Sequence, residues 1–293
     1  MPGPVILVVG SLHYDIMVMT DHLPRKDETA VGTRWYPKFG GKGGNQAVSA
    51  QKHGTPARMC GAVGADDFGR FLRENLTKAG VDDRFVATLP GVGSGMSVAI
   101  MDAAGDYAAT IVSGANLLIA PESLSNDALW ADVAMLVVQS EVPEAVNIAA
   151  AQQARARGIR TLLNAAPSRP LSPEFSALVD ILVVNTVEAE MMGADPICCL
   201  HSATDAVRKL ASRFSAIIVT AGALGLAAWT DTDEVLSIPA QKVKAISSHG
   251  AGDAFIGALA SRLALGDSFD AACHAASAAA ARHVGGLPAS HQF

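Results

Sequence analysis

The chain is 293 residues long, carries a formal net charge of −6, and is 50% hydrophobic but only 5% aromatic. That length suits one large α/β domain spanning 1–293, and abundant Ala and Gly suit helices packed closely on a sheet. The acidic balance argues against a nucleic-acid platform, and no segment reaches the roughly 18 apolar residues of a membrane span.

The start, "MPGPVILVVGSLHYD", has no basic region before its short apolar run, so it reads as a first strand rather than a signal peptide, and the expected compartment is the cytoplasm. "VILVVG" (5–10) is a continuous apolar run ending in glycine, the pattern of a buried strand. "DIMVMTDHLP" and "TAVGTRWYPKFGG" read as exposed or half-buried strands around a polar turn. "GGNQAVSAQKHG" predicts a helix stopped at Gly54, "ARMCGAVG" (57–64) a second buried strand, and "DDFGRFLRENLTKAG" (66–80) a helix. "SVAIMDAAGDYAATIV" (97–112) reads as a hairpin turning at "DAAGD".

From 133 onward strands alternate with helices. "VAMLVVQ", "IRTLLN", "VDILVVN" and "AIIVT" are the strands; "PEAVNIAAAQQARARG", "VEAEMMG" and "ATDAVRKLASRF" are the helices. This alternation indicates βαβ units and a parallel sheet. The polar-alternating strands near the N-terminus do not fit that sheet, and they predict a small second sheet. In a parallel sheet ligands bind beyond the carboxyl ends of the strands, which gathers "QSE", "NAAP", Asn185 and "TAG" around one cleft.

Familiar phosphate and esterase motifs are missing: there is no G-x-x-x-x-G-K-[ST], no G-x-G-x-x-G after the first strand and no G-x-S-x-G. The four cysteines, Cys60, Cys198, Cys199 and Cys273, form no disulfide framework. Adjacent Cys198 and Cys199 cannot easily both reach one tetrahedral ion, so they read as structural thiols.

The informative stretch is "SSHGAGDAFIGALA" (247–260). Gly250, Ala251 and Gly252 at the mouth of a helix can present unpaired N–H groups and the positive end of its dipole to an anion. Asp253 at the same place either caps its helix or takes a proton from a hydroxyl that attacks phosphorus. The second stretch is "FGGKGGNQAVSA" (39–50), where glycines around Lys42 allow close approach of a ligand and Asn45 offers a hydrogen bond. A plain glycine-rich loop has the same look.

Together the two motifs, with "VGADDFG" (63–69), "SGAN" (113–116), "QSEVP" (139–143), "NAAP" (164–167), "NTVEAE" (185–190) and "TAGALG" (220–225) in order between them, resemble the ribokinase-like (phosphofructokinase-B) sugar kinases. The resemblance covers nearly the whole chain. It implies a three-layer αβα sandwich with a mostly parallel central sheet, and a small β lid from about 12–38 and 94–113. By the same resemblance Asp253 would be the catalytic base and Gly250, Ala251 and Gly252 the anion hole. Asp15, Gly41, Lys42, Asn45 and Glu141 would hold sugar hydroxyls, with His13 beside them. Asn185 and Glu188 would place magnesium, through water, and phosphate. Thr220, Gly222 and Gly225 would line the ATP site, with His274 near the adenine, although a histidine in an Ala-rich helix also reads as core. A homodimer through the lid strands is implied too.

Three departures stand out. His13 and Tyr14 occupy "SLHYD" where the family commonly has asparagine and a small residue, which opens the possibility of a nucleoside acceptor such as pseudouridine or adenosine. Tyr14, next along a strand, is expected to face away. Ser247 replaces an aspartate that ligates an activating potassium ion in ribokinases. The end, "GGLPASHQF", falls short of a terminal helix many relatives carry, and the loop after His283 is expected near the nucleotide. The expected activity is ATP-dependent phosphorylation of a primary hydroxyl on a ribose-like sugar. A nucleoside kinase, or an idle sugar or nucleotide sensor, is the alternative.

Overall fold

The computed structural model describes residues 3–104, 106–231 and 234–287. The first buried run forms β1 (Val5–Val9), after which the chain leaves the main sheet as β2 (His13–Thr20) and β3 (Gly32–Gly40). It returns through α1 (Lys42–Lys52), β4 (Ala57–Gly64), α2 (Asp67–Lys78) and β5 (Asp82–Leu89), then leaves again as β6 (Met96–Met101) and β7 (Tyr107–Val112). Short 3₁₀ turns between Gly114 and Trp130 lead to β8 (Val133–Gln139). The regular half follows: α3 (Glu144–Ala156), β9 (Arg160–Asn164), the single turn α4 (Pro173–Ser176), β10 (Ile181–Asn185), α5 (Thr186–Met191), α6 (Leu200–Leu210) and β11 (Ala216–Thr220). The described chain ends with β12 (Gly225–Thr230), β13 (Leu236–Pro239), α7 (Ala251–Ala264) and α8 (Phe269–Val284).

Nine strands form one sheet in the order β13-β12-β11-β10-β9-β8-β1-β4-β5, parallel except for β12 and β13 at one edge. Successive strand residues point to opposite faces. Ile6, Val8, Met135, Val137 and Ile218 therefore pack under α1, α2, α7 and α8, while Leu7, Val9, Leu136, Val138 and Val219 pack under α3 and α6. Each such side chain, once fully buried, contributes on the order of 1.5–3 kcal/mol. That two-sided burial is why these strands read as unbroken apolar runs in the sequence.

The lid is a separate four-stranded sheet, β3-β2-β6-β7, with β2 and β6 parallel and the two outer pairs antiparallel. The three-layer sandwich and the lid agree with expectation. β5, β12 and β13 were not anticipated. β5 is an edge strand that buries only Val86, so its sequence carries no apolar run. Two family motifs act here as tethers. Asp66 caps α2 through Gly69 N–H and also accepts Ser94 N–H at 2.8 Å. Asn116 bonds both backbone groups of Leu12, each at 2.9 Å. Of the stretch after His283, expected near the nucleotide, residues 284–287 are described and the rest lies outside the described residues.

Candidate active site

The carboxyl ends of β1, β8, β9, β10 and β11 converge, as the parallel topology requires, on the N-termini of α1 and α7. Asp253 lies buried in the first turn of α7. Its Oδ2 accepts Asn45 Nδ2 at 3.1 Å and its Oδ1 accepts Gln46 Nε2 at 2.9 Å. Gln46 also donates to Asn164 Oδ1 at 3.0 Å, which fixes the pair to the end of β9. Burial pushes the Asp253 carboxyl above the ordinary aspartate value, against the lowering by Lys42 and the two amides. A carboxylate held this way is aimed by donors and remains ready to take a proton.

The α7 start has a left-handed Gly250 (φ 87°) as its cap and no side-chain cap. The Gly252 and Asp253 N–H groups donate to nothing among the described residues. Unpaired donors at a helix N-terminus form an anion site.

At α1 the arrangement differs. Glu141, just past β8, accepts Lys42 N–H at 2.8 Å and the Ser11 hydroxyl at 2.5 Å. Gly44 N–H donates to Ser11 O at 3.0 Å. Gly41 holds φ 86°, and a Cβ there would fall 2.7 Å from His13 N. His13 is 3% exposed; its Nδ1 lies 3.8 Å from Glu141 Oε2 and its Nε2 has no partner among the described residues. Asp15 accepts Ser97 Oγ at 2.5 Å, and burial raises its pKa.

Lys42 was expected to hold sugar hydroxyls. Its backbone does meet Glu141, but the residue also lines a small cavity of about 120 Å³ with Asn164, Asn185, Glu188, Thr220 and Asp253. Its charge lowers the pKa of Glu188, which burial raises more strongly. Asn185 and Glu188 form a reciprocal capping box on α5: Glu188 N–H donates to Asn185 Oδ1 and Asn185 N–H to Glu188 Oε2, both at 2.8 Å. Glu188 Oε1 makes no hydrogen bond with the described residues.

On the far side of α7 opens a cleft of about 630 Å³. Thr220, Gly222, Gly225, Val243, Ala251, Gly252 and Phe255 are among the residues that line it. Gly225 also has a packing reason, because a Cβ there would lie 2.0 Å from Ile238 O. His274 does not line this cleft. The stripe of α8 that does so runs Ser277, Ala281, Val284, and His274 sits exposed one turn before it. Tyr14 faces away from the site, as its strand position predicts: its ring stacks on Phe68 at 4.0 Å and meets Phe71 edge-on.

Sequence reasoning missed Gln46, Lys38 and His249. Gln46 follows Asn45 in the motif and shares its carboxylate. Lys38 and His249 line a groove with Asn45 and Asp253; His249 sits inside the stretch 247–260 but was given no role, whereas Lys38 carries no local sequence signal. No helix among the described residues is long and apolar enough to cross a membrane, and no cluster among them holds three metal-ligating side chains.

A mostly parallel αβα sheet with a β lid, and an acid at a glycine-rich helix start, define a phosphoryl-transfer class. The model of the pfkB family carbohydrate kinases matches residues 5–287, and the chain belongs to that family. Ribokinase of Mus musculus is 34% identical over 263 residues, covering 88% of this chain and 81% of that protein. Deoxyribokinase of Salmonella typhimurium is 33% identical over 258 residues, covering 87% and 84%. The structure of Arabidopsis thaliana ribokinase complexed with ribose and ATP superposes with a TM-score of 0.89 at 26% identity, covering 97% of this chain and 93% of that one.

Proposed function

We propose that the protein transfers the γ-phosphoryl group of ATP to a primary hydroxyl of a ribose-like sugar. The observation that carries this reading is the placement of Asp253: a buried carboxylate, steered by Asn45 and Gln46, beside the unpaired N–H groups that open α7. The acceptor O–H gives its proton to Asp253, its oxygen bonds the γ-phosphorus, and the bond from that phosphorus to the ADP oxygen breaks. The Gly252 and Asp253 N–H groups and the Lys42 ammonium stabilise charge on the transferring group, where fixed donors are most effective. His13, Asp15, Asn45 and Glu141 orient the acceptor, and the lid excludes water that would otherwise take the phosphoryl group.

The 630 Å³ cleft suits the nucleotide, with Val243 and Phe255 supplying apolar lining and Gly222 and Gly252 allowing close approach of backbone to phosphates. Glu188, with one oxygen committed to the capping box and the other unbonded, fits a magnesium ion that keeps its water shell. Magnesium would neutralise charge on the phosphates. Tyr14 stacks on Phe68 and offers the acceptor no surface, so of the two aromatic departures His13 alone stands beside Glu141. Exposed Trp35 (63%) on β3 and Ile111 (58%) on β7, the outer lid strands, support a homodimer through the lid, which sedimentation of the purified protein would test.

The test is ADP release with Mg-ATP across ribose, 2-deoxyribose, fructose, adenosine and pseudouridine. Turnover of a free pentose is expected. ATP binding without ADP formation from any acceptor would favour a sensor instead.

A further inference from the structure

Lys38 stands directly opposite Asp15 across the β2–β3 pair, so the two side chains share one face of the lid. The residue is half-buried; burial lowers its pKa, while the charges of Asp15 and Asp253 raise it. It therefore lies within electrostatic reach of both carboxylates. No carboxylate among the described residues forms an ion pair with it.

The surroundings repeat the sign. Lys38 and Asp253 line a groove of about 460 Å³ that runs between α1 and α8, together with Lys52 and Arg282 and with His249, whose charged form burial disfavours. Asp253 is the sole acid among its lining residues. On a chain of net charge −6 this is a local concentration of positive charge beginning at the carboxylate that receives the proton. A neutral sugar would leave the half-dehydrated Lys38 ammonium without a counter-charge in contact, which is costly. A second negative group on the acceptor would supply that contact and gain a charge-assisted hydrogen bond.

We propose that Lys38 is a specificity-determining residue and that the preferred acceptor is an anionic polyol, carrying a carboxylate or phosphate in addition to the hydroxyl that is phosphorylated. The inference rests on the kinase reading above and narrows its acceptor class. Carboxylate and phosphate share the chemistry Lys38 recognises, and Lys52 adds a second ammonium farther along the groove.

The experiment compares matched pairs: D-ribonate against D-ribose, and fructose 1-phosphate against fructose. ADP release is measured for the wild type, Lys38→Met and Lys38→Arg, and calorimetric binding is measured in the Asp253→Asn background with and without Lys38→Met. In at least one pair the anionic member is expected to exceed the neutral one by about 10-fold or more in kcat/KM, the scale of a partly desolvated charge pair. Lys38→Met should lower that ratio about 10-fold, and Lys38→Arg should retain most of it. The responding pair tells carboxylate from phosphate. A preference for the neutral member in both pairs, unchanged by Lys38→Met, would overturn the proposal and leave the kinase reading intact. Absence of anion binding to Asp253→Asn would overturn it as well. Saturable anion binding that Lys38→Met abolishes, with no turnover of any acceptor, would support the anion site and sink the kinase reading.

Discussion

The two glycine-rich helix starts look alike in sequence and are opposite in structure. At α1 the glycines serve the protein's own packing: a Cβ on Gly43 would lie 2.6 Å from Ser11 N, and one on Gly44 would lie 2.7 Å from the Leu12 and Phe39 side chains. The N–H groups there are occupied by Glu141 and Ser11. At α7 a Cβ on Gly252 would meet nothing within 4 Å, and the N–H groups of Gly252 and Asp253 have no partner among the described residues. The first motif is a joint; the second fits the receptor we propose. Room and donors that the fold does not use are left for a ligand.

The sharpest way to break this contrast is Asp253→Asn. If the α7 start is where chemistry happens, turnover should fall by at least about 100-fold while ATP still binds, as for loss of a general base. Steady-state ADP release and nucleotide titration together check it; retained turnover would remove the base assignment.

Next in size is a matched pair of glycine substitutions. Gly252→Ala should fold at least as well as the wild type, since alanine in a first helical turn is favoured by roughly 0.4–1 kcal/mol. Its turnover should nevertheless fall on the order of 10- to 100-fold, because the methyl stands where the transferring phosphoryl group is expected. Gly43→Ala should do the reverse first, losing about 1–3 kcal/mol or more of stability through overpacking against Ser11. Denaturant melts of both proteins, set beside their kinetics, would show whether the two effects separate. A Gly252→Ala protein with normal turnover would make the receptor reading of α7 untenable.

A smaller effect is one of pH. Burial raises the Asp253 pKa, and Lys42 is the largest influence holding it down. The base must be unprotonated to act, so kcat/KM should fall on acidification at a pH above that of an exposed aspartate. Lys42→Met removes the lowering influence, and the acid limb should move to still higher pH. A limb that moves down, or not at all, would mean that another group sets it.

How much of this was legible in the chain follows from where each signal resides. β1, β4 and β8 to β11 are covered on both faces, so each reads as an apolar run. β5 at the sheet edge and β13 carry no such run, while the apolar Leu226–Trp229 of β12 follows directly on the glycine motif 220–225; all three were missed. Asp253, Asn45 and Glu141 lie inside local motifs and are brought together as expected. Lys38 enters the site only through its register with Asp15, a fact of pairing that no window of sequence contains. His274 lies on a helix the sequence did show, while the lining of the cleft begins one turn later, at Ser277.

The smallest expected effect concerns the loop that leads into α7. Ile246 N–H donates to Val284 O at 2.8 Å, Ser247 N–H to the same carbonyl at 3.3 Å, and His249 N–H to Ser247 Oγ at 3.3 Å. Hydrogen bonds to the end of α8 thus hold the loop, and the side chain at 247 is neutral and already engaged in the turn. A potassium ion needs several oxygen ligands at once, and a neutral serine already engaged in the turn adds no carboxylate to the carbonyls nearby. Replacing potassium by choline at constant ionic strength should therefore change kcat/KM by less than about twofold, with Ser247→Asp introducing a dependence. Rates across a potassium titration check both. Strong activation of the wild type would mean that backbone carbonyls alone recruit the ion. The α7 start would then be assembled by a cation, whereas the α1 start is assembled by Glu141, and the contrast between joint and receptor would extend to how each is held in place.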